Sequence, residues 1–136
     1  MNKRNILFFY FLVGFATMMY AQDFTPRIGT AYAIDIQEWN IDGRDEMQYA
    51  NRYHTFTITF NSNNTVLNFI AAFGNLWLTF YSDGTYERAM STIFTARAIQ
   101  STGNGRIIRN GRDFTLEFPW ESSANPQNVV AKGRIR

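Results

Sequence analysis

Leu76-Trp77-Leu78-Thr79-Phe80-Tyr81-Ser82-Asp83-Gly84-Thr85-Tyr86-Glu87-Arg88 is the stretch that decides the fold of this 136-residue chain. Ahead of the Ser-Asp-Gly, Leu76, Leu78 and Phe80 share one face while Trp77, Thr79 and Tyr81 share the other. Successive side chains leave a pleated strand in opposite directions, so period-two alternation marks a strand with one buried side. The Asp-Gly pair enters left-handed backbone at little cost, which folds the flanking strands back on each other as a hairpin.

The same pattern recurs on both sides of this hairpin. Residues 28–39 alternate, with Ile28, Thr30, Tyr32, Ile34, Ile36 and Glu38 on one face. Residues 53–60 set Phe56, Ile58 and Phe60 against Thr55, Thr57 and Thr59, and the polar run 61–64 breaks that strand. Residues 65–73 admit two readings. Val66, Phe69, Ile70 and Phe73 stand at helical spacing ahead of Gly74, yet a short apolar run between turns also suits a strand buried on both sides. The strand is the reading adopted.

Strand continues over 93–99 after a bulge near Thr92, and residues 101–105 (Ser-Thr-Gly-Asn-Gly) read as a flexible loop. Residues 106–109 and 112–120 form a second hairpin about Asn110-Gly111, a pair suited to a type I′ turn. In it Phe114, Leu116, Phe118 and Trp120 alternate with Thr115 and Glu117. Residues 121–128 are a polar loop with Pro126, and 129–135 are the last strand. The longest polar stretch, 40–52, opens on Asp42-Gly43 and has room for one or two helical turns after Asp45.

Eight or nine short strands with turns at this spacing imply an all-β fold: one small antiparallel β-barrel, with at most one short helix. A strand running to the last residues fits barrel closure, which removes an aggregation-prone edge. No internal repeat or low-complexity segment interrupts the domain.

Residues 1–21 carry a different signal. Lys3 and Arg4 precede a run of about 15 almost wholly apolar residues, shorter than the roughly 20 that span a bilayer, and Ala21 closes it. This is the pattern of a secretory signal peptide, leaving residues 22–136 as the mature domain, secreted or periplasmic. No cysteine stands at the junction for a lipid anchor, so no membrane attachment is expected after cleavage.

Cleavage also changes the charge. The whole chain has 13 basic and 11 acidic residues and a sequence pI near 9.1, but loss of Lys3 and Arg4 leaves the two signs equal. Nucleic-acid binding, which draws on a net positive footprint, loses its support. From Asp23 to Glu87 acids outnumber bases by five, and bases outnumber acids by five from Arg88 onward. Neutralisation between neighbouring strands is the expected outcome. The chain has no cysteine, so its core rests on packing, and 13 Phe, 7 Tyr and 3 Trp supply the material.

Catalytic chemistry finds few residues to work with. His54 is the sole histidine, reads as a surface or rim residue, and has no nucleophile motif to serve. Asp42, Asp45 and Glu46 cluster without the spacing of a calcium loop. Glu117 and Glu121 are not distinguished from surface acids as a glycosidase pair. Gly103-Asn104-Gly105 lacks the helix that a phosphate loop requires. Tyr81, Tyr86, Arg88 and Arg97 read as half-exposed strand faces. The chain is therefore expected to be a non-enzyme without cofactor or metal.

The hairpin 76–88, strand then Asp-Gly-Thr then aromatic, resembles bacterial lipocalin-like domains. The ensemble of an exported, cysteine-free small β-barrel also resembles potempin-type protease inhibitors. These resemblances imply a monomeric protein-binding module, foremost an inhibitor of a secreted protease acting through its loops. The alternative they imply is a lipocalin-like carrier of a small apolar ligand. Candidate loops are 40–52, 101–105 and 121–128, and the partner-binding residues expected there and beside them are Asn40, Asp42, Arg44, Asp45, Glu46, Trp120 and Asn125.

Overall fold

The computed structural model describes residues 24–120 and 127–136. The leader 1–21 and Asn125 lie outside the described residues. Those described form an antiparallel, all-β fold: β1 (Ala31–Ile41), β2 (Arg44–Asp45), helix α1 (Met47–Ala50), β3 (Thr55–Phe60), β4 (Asn64–Ala71), β5 (Gly74–Tyr81), β6 (Thr85–Thr92), β7 (Ala98–Asn104), β8 (Arg106–Asn110), β9 (Asp113–Pro119) and β10 (Asn128–Ile135). Ten strands thus stand where eight or nine are expected, partly because the Asp42-Gly43 turn forms the two-residue β2. The short helix falls just after Asp45, and 64–71 is strand.

The sheet runs β7-β6-β5-β4-β3-β1-β10-β9-β8, with β2 paired to β1. β1 belongs to both halves: Ala31–Ala33 pair with β3, and residues from Ile34 onward pair with β10. A strand that changes partners along its length turns a corner, and the two halves then face each other as layers. Trp39 of β1 meets Phe69 of β4 at 5.7 Å between ring centroids, and Phe80 of β5 meets Phe118 of β9 at 5.8 Å.

The expected barrel closure is not reached, because the ladder ends at β7 and β8 without pairing them. Gly105 carries the chain from one layer to the other there. A Cβ on it would sit 2.9 Å from Tyr86 Cβ and 3.2 Å from Phe118 Cβ, so the backbone itself fills the space between layers. Residues 101–104, expected as loop, belong to β7, and Ser101 is buried.

Alternation reads correctly through most of the core. Ile58, Leu67, Phe69, Leu76, Leu78, Phe80, Phe114, Leu116 and Phe118 are all buried. β1 departs from it. Ile36 pairs with Gly133 and Glu38 with Lys132, so Gln37 is an extra residue that resets the alternation. Ile34, Ile36 and Trp39 face inward as a result, and Glu38 faces water rather than sharing their side.

Turn chemistry matches residue type, with one correction. Asp42 and Gly43 both have positive φ (51° and 78°), the pairing a type I′ turn requires. In the second hairpin Asn110 pairs with Asp113, so the turn residues are Gly111 and Arg112. Only Gly111 has positive φ there, the sign pattern of a type II′ turn, instead of the type I′ expected for Asn-Gly. No described helix is long and apolar enough to cross a membrane.

Candidate functional site

Five of the expected partner-binding residues come together on one hairpin, and much of their polar capacity is spent within the fold. Asp42 N donates to Asn128 O at 2.9 Å, and Asn128 N donates to Asp42 Oδ1 at 2.9 Å, tying the β1–β2 turn to the start of β10. Asp45 Oδ1 accepts from Met47 N at 3.0 Å, a local turn just ahead of α1. Glu46 Oε2 accepts from Gln48 Nε2, and Glu46 N donates to Trp39 O. Asn40 is half-buried within the ladder, while Arg44 and Asp45 are exposed.

Trp120 is half-buried and joins the same end of the molecule. Its ring centroid lies 4.8 Å from that of Tyr49 on α1 and 6.0 Å from that of Trp39. Trp39, fully buried, also stacks on Tyr49 at 5.4 Å and meets Phe118 at 5.8 Å. Tyr49 and Tyr53 share a hydrogen bond at 3.3 Å between hydroxyls. Burial chiefly, with that bond second, raises the Tyr49 hydroxyl well above the usual tyrosine range. The Arg52 guanidinium covers Tyr49 at 4.6 Å and reaches Phe73 at 5.7 Å.

Two residues expected on half-exposed strand faces are interior. Arg88 is 8% exposed and Tyr86 1% exposed, because β6 sets Arg88 opposite Leu78 and Tyr86 opposite Phe80. Arg88 lies over the Trp120 ring at 4.1 Å. Their companions Tyr81 and Arg97 stay on the outer face, where Tyr81 donates to Glu87 Oε2 at 3.0 Å and Arg97 covers Trp77 at 4.9 Å. His54 is exposed with Nδ1 2.8 Å from Thr55 Oγ1, and Glu117 forms an ion pair with Arg106 at 2.7 Å.

The sequence reading missed the most exposed apolar feature. Residues 93–97, expected as strand, form the turn between β6 and β7, and they carry Ile93 and Phe94 outward at 68% and 89% exposure. Thr92 fastens this turn. Its Oγ1 accepts from Phe94 N at 3.1 Å and Thr95 N at 3.0 Å, and lies 2.8 Å from Thr95 Oγ1. Threonines bracketing an apolar pair (Thr92-Ile93-Phe94-Thr95) were the available signal, since a hydroxyl that bonds nearby backbone favours turns over ladders. Thr92 pairs with Gly74, which follows Phe73, so the turn sits beside the Arg52–Phe73 contact and at the same end as α1.

Elsewhere, two open clefts of about 340 and 360 Å³ flank Gly105, one reaching Asn61–Thr65 and the other Phe118 and Asn128. Among the described residues no group of three or more His, Cys, Asp or Glu is placed to hold a metal ion. No family model, no curated protein and no solved structure matches this chain.

Proposed function

We propose that the protein is an exported, non-catalytic protein-binding module, most concretely an inhibitor of a secreted protease. The observation that carries this reading is the Ile93-Phe94 tip. A phenylalanine 89% exposed contributes almost nothing to the core, and the hydrogen bonds to Thr92 Oγ1 hold it in one geometry. Interfaces are dominated by a few aromatic anchors that fill a partner's apolar pocket, and a pre-ordered anchor loses less entropy on docking.

Phe73, 44% exposed, and the charged Arg52 over its ring would form the rim around such an anchor. The tip takes over the role expected of 101–105, of which 101–104 belong to β7. The carrier alternative has less support, because rings of Phe69, Trp39, Phe118, Tyr86 and Phe80 touch in an unbroken series through the interior.

The test is titration of secreted metallo- and serine proteases with the chain beginning at residue 22. Stoichiometric inhibition of at least one enzyme is expected, with Phe94→Ala weakening it by roughly 2 kcal/mol or more while the melting temperature stays unchanged. No inhibition across the panel, or full inhibition by Phe94→Ala, overturns the reading.

A further inference from the structure

Among the described residues β8 pairs with β9 and has no second neighbour in the ladder, so one of its edges is open. The register identifies the main-chain groups on that edge. Asn110 and Asp113 close a two-residue turn and exchange hydrogen bonds, and opposed pairs in an antiparallel ladder alternate between bonded and unbonded. Residues 106, 108 and 110 therefore spend their N–H and C=O groups on β9, while those of Ile107 and Arg109 point away from it. The bond from Ile135 N to Arg112 O agrees with this phase, since it turns the even-numbered residues of β9 toward β10 and the odd-numbered ones toward β8.

The open cleft of about 340 Å³ borders this strand. Arg106 and Ile107 line it, together with residues 61–65 and 80–82 from the β3–β4 and β5–β6 hairpins. Side chains of β8 divide by face: Ile107 packs against the core, whereas Arg106 and Ile108 are exposed, Ile108 by 49%. Residues 97–112 carry Arg97, Arg106, Arg109 and Arg112 and no acid. Arg106 donates from Nε to Glu117 of β9 at 2.7 Å, which uses one of the five N–H donors of a guanidinium. Like charges brought together across strands oppose pairing, so Arg106 and Arg109 disfavour joining two copies through β8.

We propose that the β8 edge receives an extended acidic segment of a partner protein as an added antiparallel strand. The main-chain groups of Ile107 and Arg109 supply affinity, and the exposed alternate side chains Arg106 and Ile108 supply selectivity. In the antiparallel sense the segment sets an apolar residue opposite Ile108 and, two positions later, an acid opposite Arg106. Arg106 then stands between two carboxylates, Glu117 on β9 and the acid of the added strand. This surface is independent of the protease reading: the cleft reaches Gly84, just ahead of β6, and the Ile93-Phe94 tip follows the other end of β6.

The probe is the blocked pentapeptide acetyl-Thr-Ile-Thr-Glu-Thr-amide, titrated into the isotopically labelled chain beginning at residue 22. Its controls carry Lys in place of Glu, or an N-methyl group on the central Thr, the residue set opposite Ile107. Amide hydrogen exchange read by NMR is the measurement. In the free chain the Ile107 and Arg109 amides should exchange faster than that of Ile108, and the Glu peptide should slow Ile107 and Arg109. The Lys peptide is expected to bind at least about fivefold more weakly, and the N-methyl peptide about tenfold more weakly. Arg106→Glu should reverse the preference between the Glu and Lys peptides, whereas Phe94→Ala should leave it unchanged. Should Arg106→Glu fail to fold, the N-methyl comparison on the unaltered chain decides by itself. Equal binding of the N-methyl peptide, equal binding of the Glu and Lys peptides, or no slowing at Ile107 overturns the proposal. So does slowing at Ile107 that rises with protein concentration alone, the mark of a second copy on this edge.

Discussion

At the scale of single residues, the glycines show where backbone leaves no room for a side chain. Gly74 has φ +150° and begins β5 against Thr92, and a Cβ there would overlap the Ser91 carbonyl. Gly84 also has positive φ (+89°), yet nothing lies within 4 Å of where its Cβ would be. Strain of this kind costs about 1–3 kcal/mol, and a clash with fixed backbone adds to it. Gly74→Ala should therefore destabilise by more than about 3 kcal/mol and Gly84→Ala by about 1. Urea denaturation of the two variants measures the difference.

Titration makes a second residue-scale prediction. The hydrogen bond and charge of Arg136 hold the Asp35 carboxyl below its ordinary 3.8, and the hydroxyl and backbone N–H of Thr85 do the same for Asp83. Folded values below unfolded ones contribute stability that is present above about pH 4 and lost as pH falls through the folded values. Tyr49 and Tyr86 have the opposite sign, raised in the fold, so their contribution is complete below pH 10 and declines above it. Melting temperature should fall at both extremes. Asp35→Asn combined with Asp83→Asn should flatten the acid limb alone.

At the scale of elements, charge and register follow from which strands become neighbours. The acidic first half and basic second half do meet: Asp35 pairs with Arg136 at 2.7 Å and Glu38 with Lys132 at 3.8 Å, both across the β1–β10 ladder. These pairs are half-exposed and screened, so they set register more than stability. The Gln37 bulge is decisive for β1. Deleting Gln37 would remove the extra residue and leave Ile34, Ile36 and Trp39 in plain alternation on the inner face, with Glu38 still toward water. Such a chain is expected to keep cooperative unfolding and to bind no hydrophobic dye, which calorimetry and dye fluorescence report.

At the scale of the whole molecule, Trp39 links the two layers. It is fully buried and touches rings from α1, β4 and β9 as well as Trp120. Trp39→Ala should cost about 3–5 kcal/mol, the range for removing a buried large ring that neighbours cannot replace. Gly133 marks a second contact of this kind: a Cβ there would overlap the Phe114 ring and stand 2.7 Å from Asp35 O, so a side chain on β10 would separate it from its neighbours. Loss of far more than this at Phe94 than at Trp39 would contradict the division between a docking tip and a core.

Local pattern by itself determined the strands, most turns and the apolar faces, because period-two alternation and left-handed turn residues act within a few positions of chain. It also marked the Asp42-Gly43 turn and left room for a helix after Asp45, while the β1–β2 pairing that gathers Asn40, Asp42, Arg44, Asp45 and Glu46 came from the fold. Tertiary structure alone decided which strands lie side by side, the bulge at Gln37, the Ile93-Phe94 turn and the interior position of Arg88. Each of these depends on what stands across the ladder. Arg88 lies inside because Leu78 and Tyr86 fix its face, and Glu38 lies outside because Trp39 fills the interior between two layers. Residue type argued the other way at Arg88, and long-range register outweighed it.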